Sequence, residues 1–456
     1  MAFLVGGIQM KIFNSYTNKK EEFKPMEPGK VGMYACGPTV YNSVHIGNTR
    51  PMIVFDVLRR VLEYQGYDVT FVSNYTDVDD KIIKRAKEEG VSESELTEKY
   101  IKAYEDVRDG LNIETPTYTP RVTKTMDKII DFIKVLVDKG YAYEVDGDVY
   151  FRVPEIKDYG TLSGIKVDDL VKGASERTES ADDAKKESPL DFALWKKTDE
   201  GIQFDSPWSK GRPGWHTECV VMINDIFGRG LIDIHGGGHD LKFPHHENEI
   251  AQSEAYSGTH LANYWVHNQM ININGEKMSK SLGNVLWAKD LLEQLGVNVY
   301  KWLMLSTHYR NPLNFTDEVL TNVKKEVSKV ENVVKSASLY LVTNKVPAGT
   351  FNKETVDHMV DALNDDLNTS LALTEILDQV KKVNQVMRVR EKDNAVIANE
   401  YATLLKMCDV MGFAFKGVQM SDEDIDIYNK WMALKKEKNF EEADKLRAQL
   451  IERGIL

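Results

Sequence analysis

Val31-Gly32-Met33-Tyr34-Ala35-Cys36-Gly37-Pro38-Thr39-Val40-Tyr41-Asn42-Ser43-Val44-His45-Ile46-Gly47-Asn48 runs from an apolar stretch, through a loop bearing glycine and proline, into a helical pattern. Residues 31–35 read as a strand. Beyond the loop, Val54, Phe55, Leu58, Val61 and Leu62 recur at helix spacing, and Gly66 supplies a stop signal. Residues 68–74, with Phe71 and Val72 among them, return to strand. Strand, loop, helix, strand is a βαβ unit, so a parallel sheet with a right-handed crossover is expected. His45 and Asn48 then fall at a helix N-terminus, where free backbone N–H groups and the helix dipole favour phosphate.

The character of the chain changes after Arg121. A helix at 126–139 precedes an alternating stretch, 141–152, that reads as an antiparallel hairpin. The polar, charged run 173–188 reads as a mobile loop. Strand–helix alternation resumes over 215–227, 231–235 and 264–273. Residues 120–207 therefore read as an insertion that splits one α/β domain. After Gly283 the pattern turns helical and stays so: 288–295, 299–305, an amphipathic 316–343, and a continuous 355–389 whose stripe of Leu363, Leu367, Leu371, Leu373, Ile376, Leu377 and Val380 reads as bundle core. The expected fold is α/β: a Rossmann-type parallel sheet, split by an insertion and followed by a C-terminal all-α helical bundle.

At 456 residues the chain has room for two to four domains. Its 42% hydrophobic and 28% charged residues fit a folded protein and argue against a disordered or membrane-embedded one. No apolar run approaches the ~20 residues of a membrane span. Residues 1–10 carry no basic residue before Lys11 and are too short for a signal peptide; Met10 reads as the natural start and 1–9 as an addition. Cys36, Cys219 and Cys408 are too few for a disulfide scaffold and suit a reducing cytosol. The net charge of -13 does not favour nucleic acid, but binding depends on local basic surface. Lys435, Lys436, Lys438, Lys445, Arg447 and Arg453 cluster at the end, interleaved with Glu437, Glu441, Glu442, Asp444 and Glu452. On charge alone that segment reads as a solvated, salt-bridged helical hairpin.

Two further constellations carry chemistry. Lys277-Met278-Ser279-Lys280-Ser281 puts two ammonium groups and two hydroxyls on a loop, able to stabilise charge on a leaving pyrophosphate. Five of the ten histidines lie between His216 and His246. His245 and Glu249 are four apart, on one face of a helical pattern. Cysteine, histidine and glutamate are ligands that zinc takes. No CxxC pair exists, so any site is assembled across the fold. Taken alone, a cysteine after a strand reads as a buried small apolar group and a His–Glu pair at helix spacing as a surface hydrogen bond.

His45 to Asn48 together with Lys277 to Ser281 resembles the signature pair of class I aminoacyl-tRNA synthetases. Residues 36–41, 214–219, 233–238 and 243–249 are similar to the cysteinyl-tRNA synthetase family, across almost the whole chain. The resemblance implies one Zn2+ per subunit, bound by Cys36, Cys219, His245 and Glu249 at the floor of the amino-acid pocket, with the substrate thiolate on the metal and Glu249 as the weak ligand. It implies that Cys36, Gly37, Thr76, Trp215 and His235 form the cysteine pocket. Pro38, Thr39, His45, Gly47, Asn48, Asp240, Lys277, Ser279 and Lys280 would contact ATP, which arrives with Mg2+. His45, Asn48, Lys277 and Lys280 would be catalytic.

L-cysteine, ATP and tRNA(Cys) are the implied partners, charged through the 2′-hydroxyl by a cytoplasmic monomer. The implied domains are a catalytic first half at 10–119, a connective insertion at 120–207, and a catalytic second half at 208–285. A stem-contact region at 286–345, a tRNA-binding bundle at 346–417 and a basic anticodon-end region at 418–456 would follow. Two departures stand out: Asn48 replaces the last histidine of the first signature, and the chain ends at Leu456 without the family's short polar tail. Alternatives are a cysteine ligase acting on an amino sugar (the mycothiol type), a simple nucleotidylyltransferase, and an inactive RNA-binding paralogue. The helical region after Asn314 disfavours the first, and the cysteine–histidine–glutamate set disfavours the second. The intact 277–281 argues against the third.

Overall fold

Strands β3 (Lys30–Ala35), β4 (Asp68–Val72), β10 (Leu231–Gly238) and β11 (Leu261–Asn268) form one parallel sheet in the order β11-β10-β3-β4. The computed structural model describes residues 9–166, 185–278 and 283–456. The strands are apolar on both faces, as a doubly covered parallel sheet requires. Met33, Phe71 and Val266 face one core with helix α1 (Ile46–Tyr64); their neighbours Tyr34, Val72 and Trp265 face the other. That second face is covered by α4 (Val122–Asp138), α5 (Glu218–Phe227) and α6 (Glu247–Ser257). The expected βαβ unit is β3-α1-β4. Its helix ends at Tyr64, and Gly66, at φ +92°, makes the turn into β4.

Between β4 and α4 lie α2 (Asp80–Glu89) and α3 (Glu93–Gly110), the latter begun by a Ser92–Glu95 capping box. The insertion is an antiparallel sheet of β5 (Ala142–Val145), β6 (Asp148–Phe151), β7 (Phe192–Lys197), β8 (Phe204–Asp205) and β9 (Lys210–Pro213), ordered β5-β6-β7-β9-β8. The 141–152 hairpin is thus present, and the sheet continues past 207 because β9 pairs with β7. Of the loop read at 173–188, residues 173–184 lie outside the described set, as do residues 1–8. Residues 185–188 are held: Lys185 pairs with Asp148 at 2.7 Å and Glu187 with Arg152 at 2.7 Å. A short hairpin, β1 (Lys11–Asn14) and β2 (Lys19–Glu22), lies against β11.

Four sequence expectations need correction here. Helix is confined to the second part of 215–227, and 264–273 divides into β11 and β12 (Ile271–Ile273). Helix does not run unbroken after Gly283. Helices α7 (Ala288–Leu295) and α8 (Val297–Leu305) are followed by β14 (Leu313–Phe315), which pairs in parallel with β12, itself paired to β13 (Glu276–Lys277). After α9 (Asp317–Thr343), the expected 355–389 helix is two: α10 (Lys353–Asn364) and α11 (Thr369–Arg388). Between them Asp366 and Leu367 adopt φ of +60° and +51°, and the Asp366 carboxylate accepts from Phe13 N–H at 2.8 Å and Tyr309 O–H at 2.6 Å. The break shifts the apolar stripe, so Leu371 is 45% exposed rather than core. Helix α12 (Asn394–Val410) completes the bundle, and α13 (Asp422–Lys436) and α14 (Phe440–Glu452) form a terminal hairpin. No helix among the described residues is long and apolar enough to cross a membrane.

Candidate active site and metal centre

The carboxyl ends of β3 and β10 open into a cavity of about 480 Å³, the place where parallel sheets bind ligands. Cys36, Gly37, Pro38, Thr39, His45, Gly47, Asn48, Thr76, Trp215, Cys219, Asp240, His245 and Lys277 all line it. Residues separated by as much as 241 positions in sequence thus share one space. Ser279 and Lys280 lie outside the described residues.

The loop after β3 is laid against the chain after β4. Thr76 N–H donates to Pro38 O at 3.1 Å, Val40 N–H to Thr76 O at 3.1 Å, and Gly37 N–H to the Asn74 side-chain oxygen at 2.9 Å. Gly37 is required by this approach, since a Cβ there would lie 1.7 Å from Asn74 O. His45 is the N-cap of α1, and the Asn48 side chain accepts the His45 N–H at 3.2 Å. Asn48 therefore fixes the helix start through its oxygen, leaving its amide N–H groups as the donors that can reach a ligand. Pro51 in the next turn offers no N–H to the Gly47 carbonyl. Met278 sits over Gly47: a Cβ on that glycine would be 3.2 Å from Met278 Cε. The two signature segments therefore meet at Gly47.

Cys36, Cys219, His245 and Glu249 bring four ligand atoms within 4.8 Å of one another. Cys36 Sγ is 3.6 Å from Cys219 Sγ, 3.5 Å from His245 Nε2 and 3.5 Å from Glu249 Oε1. Cys219 Sγ is 3.8 Å and Glu249 Oε1 3.0 Å from His245 Nε2. A tetrahedral ion with bonds of about 2.0–2.3 Å spaces its ligands roughly 3.3–3.8 Å apart; four of the five distances fall in that range, and His245 to Glu249 is shorter. A second grouping, Cys36, His235, His246 and Glu249, shares two members. It is the poorer set, because both His235 nitrogens are engaged: Nδ1 with Tyr34 O at 2.9 Å and Nε2 with Glu249 Oε2 at 2.6 Å.

His235 was expected on the pocket wall; it stands behind it, fully buried, bracing Glu249. Glu249 is also fully buried and does not line the cavity. Trp215 lines the cavity. It is 40% exposed and stacks on His245, ring centroids 4.5 Å apart at 21°. His216 Nδ1 meets His245 Nδ1 at 2.9 Å, which directs the other His245 nitrogen, Nε2, to the ligand cluster. His246 and His267 extend the ring of imidazoles, with His246 Nε2 3.3 Å from Cys36 Sγ and Nδ1 2.8 Å from His267 Nε2. Histidine density pointed to this region, but a bracing role is readable only from contacts.

Burial and the neighbouring charges together set the protonation of these groups. Burial pushes the Cys36 thiol well above its usual range, with Cys219 and Glu249 adding to it. Burial opposes the charge on Glu249, yet His235 and His245 outweigh it and hold the carboxyl well below the usual range. Burial likewise opposes a proton on His245, and Glu249 with Cys219 overrides that, raising it well above the ordinary imidazole value. Burial lowers His216 and His246 well below theirs. Glu218, fully buried beside Thr76, is pushed up to about 7.

The family model for the tRNA synthetases class I (C) catalytic domain matches residues 22–325, and that for the DALR domain matches 358–416. The cysteine–tRNA ligase of Halalkalibacterium halodurans is 46% identical over 455 residues, 98% of this chain and 97% of its own. That of Clostridioides difficile is 47% identical over 462, with the same coverage of 98% and 97%. The chain belongs to the cysteine–tRNA ligase family. Solved class I synthetases share the fold at low identity. Mycobacterium tuberculosis methionyl-tRNA synthetase with methionyl-adenylate superposes at TM-score 0.58 and 17% identity, covering 84% of this chain and 89% of that one. Thermus thermophilus arginyl-tRNA synthetase gives 0.55 and 12%, covering 87% and 84%. In this chain the terminal hairpin is cross-linked by Arg453, which pairs with Asp424 at 2.6 Å and Glu423 at 2.8 Å.

Proposed function

We propose that the chain is a cysteine–tRNA ligase that activates L-cysteine with ATP and transfers it to the 3′ end of tRNA(Cys). The observation that carries this reading is one cavity lined both by Cys36, Cys219 and His245, with Glu249 buried behind them, and by the N-terminus of α1. The cluster selects the amino acid and the helix end takes the phosphates. In the first step a carboxylate oxygen of cysteine attacks the α-phosphorus of ATP, and the bond to pyrophosphate breaks. In the second a terminal ribose hydroxyl attacks the adenylate carbonyl and AMP leaves.

Little side-chain acid–base work is needed, so positioning and charge stabilisation dominate. The α1 N-terminus, with His45, Gly47 and Asn48, cradles the phosphates, and Lys277 and Lys280 take the charge of the departing pyrophosphate, whose Mg2+ arrives with ATP. Trp215 holds His245, while Thr76 and Asp240 border the polar end of the substrate. Cys36, Cys219, His245 and Glu249 would hold Zn2+, which when bound favours the substrate thiolate over the hydroxyl of serine. Shape alone distinguishes serine from cysteine poorly. The helices after β14 support tRNA rather than an amino sugar as acceptor.

The test is cysteine-dependent ATP–pyrophosphate exchange, run beside serine and repeated after chelation. Exchange with cysteine alone, lost with the metal and restored by zinc, is the expected result. Exchange that survives complete zinc removal with selectivity intact would overturn the metal assignment. Absence of exchange from zinc-loaded protein would overturn the ligase reading.

A further inference from the structure

Arg50 lies five residues after His45 on α1, and none of its surface is exposed. Its guanidinium meets no carboxylate among the described residues. Nη1 donates to Gln269 O at 2.8 Å and Met270 O at 3.1 Å, Nη2 donates to His308 O at 3.3 Å, and Nε has no partner there. Burial pulls its pKa down to about 10. A cation buried on carbonyls alone contributes little net stability, and an apolar side chain of similar volume packs at least as favourably. What the guanidinium supplies is geometry, a rigid fork on three fixed oxygens.

Those oxygens belong to the two chain crossings that support the β12–β13–β14 sheet. Gln269 and Met270 join β11 to β12, and His308 precedes β14. Met270 O also accepts Leu313 N–H at 3.1 Å, and Gln269 N–H donates to Tyr309 O at 2.8 Å. β13 ends at Lys277. Downstream of the lysine segment the chain returns to the same helix: Ile46 N–H donates to Leu286 O at 3.0 Å, and Ala288 N–H to Val44 O at 2.9 Å. The second signature therefore has two anchors, both on the helix that carries the first.

We propose that Arg50 is a positioning residue for adenylate formation, fixing the upstream anchor of the lysine segment over the α1 N-terminus. The proposal rests on the ligase reading above. The metal cluster comes from the end of β3, from α5, and from α6 with the turn before it, and Arg50 touches none of its residues, so cysteine capture is separable from phosphate chemistry.

The experiment compares Arg50→Met and Arg50→Lys in full-length zinc-loaded protein. It measures pyrophosphate-exchange kcat, KM for cysteine, zinc content and amide hydrogen exchange over residues 269–278. Arg50→Met is expected to lower kcat about 100-fold, the scale for a misplacement of about 1 Å, and to speed amide exchange over 269–278. KM for cysteine and zinc content should stay within about threefold of wild type. Arg50→Lys, which keeps a donor for one or two carbonyls, should recover part of kcat and serves alone if the Met variant does not fold. Unchanged kcat and amide exchange, or a joint loss of kcat, cysteine KM and zinc, would overturn the proposal. Wild-type protein without pyrophosphate exchange would sink the ligase reading, and the amide-exchange comparison would still decide whether Arg50 ties the segment.

Discussion

Cys219 is fully buried in the first turn of α5, its sulfur 3.6 Å from that of Cys36. Cys219→Ser keeps the shape and removes a thiolate donor, so zinc content and cysteine activation should fall together, activation by at least about 100-fold. Metal analysis beside pyrophosphate exchange checks this; a zinc-free variant that still selects cysteine would contradict it. Gly37→Ala forces a Cβ against the Asn74 carbonyl, which overpacks the wall by about 1–3 kcal/mol and parts the loop from Thr76. A lowered thermal midpoint with weakened cysteine activation is expected. Lys280→Ala should slow exchange about 100-fold, the scale for a lost transition-state charge contact; an unchanged rate would remove the lysine from the mechanism. The four candidate ligands came from the family resemblance, since residue type and the four-residue spacing of His245 and Glu249 alone left a structural reading open. Arg50, Asn74 and the bracing of Glu249 by His235 were not legible, since each depends on partners that only the folded chain brings near.

At the level of elements, α7 has the bounds its periodicity indicates, while the α10–α11 break was hidden. Leu363 and Leu367 are both buried and keep helical spacing across it, so the pattern contains no stop. The signal lies elsewhere, in an aspartate whose backbone partner is 353 residues away. Asp366 also accepts Arg310 Nε at 2.7 Å. Asp366→Ala leaves a buried tyrosine hydroxyl and a backbone N–H unpaired, a loss of roughly 3 kcal/mol. A fall in denaturant midpoint is expected, and Asp366→Asn, which keeps an acceptor, should fall less. β14 escaped notice for a related reason: three residues flanked by helices carry no periodicity of their own and become strand by pairing with β12.

For the whole molecule, the overall plan was readable because long periodic segments dominate it, and the extent of the insertion was less so because β9 joins the antiparallel sheet only through pairing. The α13–α14 hairpin has its own apolar cluster of Trp431, Ala443, Leu450 and Ile455, with Leu339 of α9 packed against it. Removing 418–456 should leave pyrophosphate exchange intact and lower tRNA(Cys) charging at least about tenfold, if its lysines meet the RNA backbone. Equal charging by the shortened protein would assign the hairpin to stability alone. The order of strands has one more consequence. β10 enters the sheet between β3 and β11, and the four side chains proposed to hold a metal come from positions 36, 219, 245 and 249. A chain still growing on the ribosome has no complete ligand set until Glu249 has emerged, well after the β3-α1-β4 unit is free to fold. Under the proposed metal assignment, zinc loading is a late event of synthesis, and a cell short of the metal is expected to accumulate full-length, sheet-containing protein rather than arrested fragments.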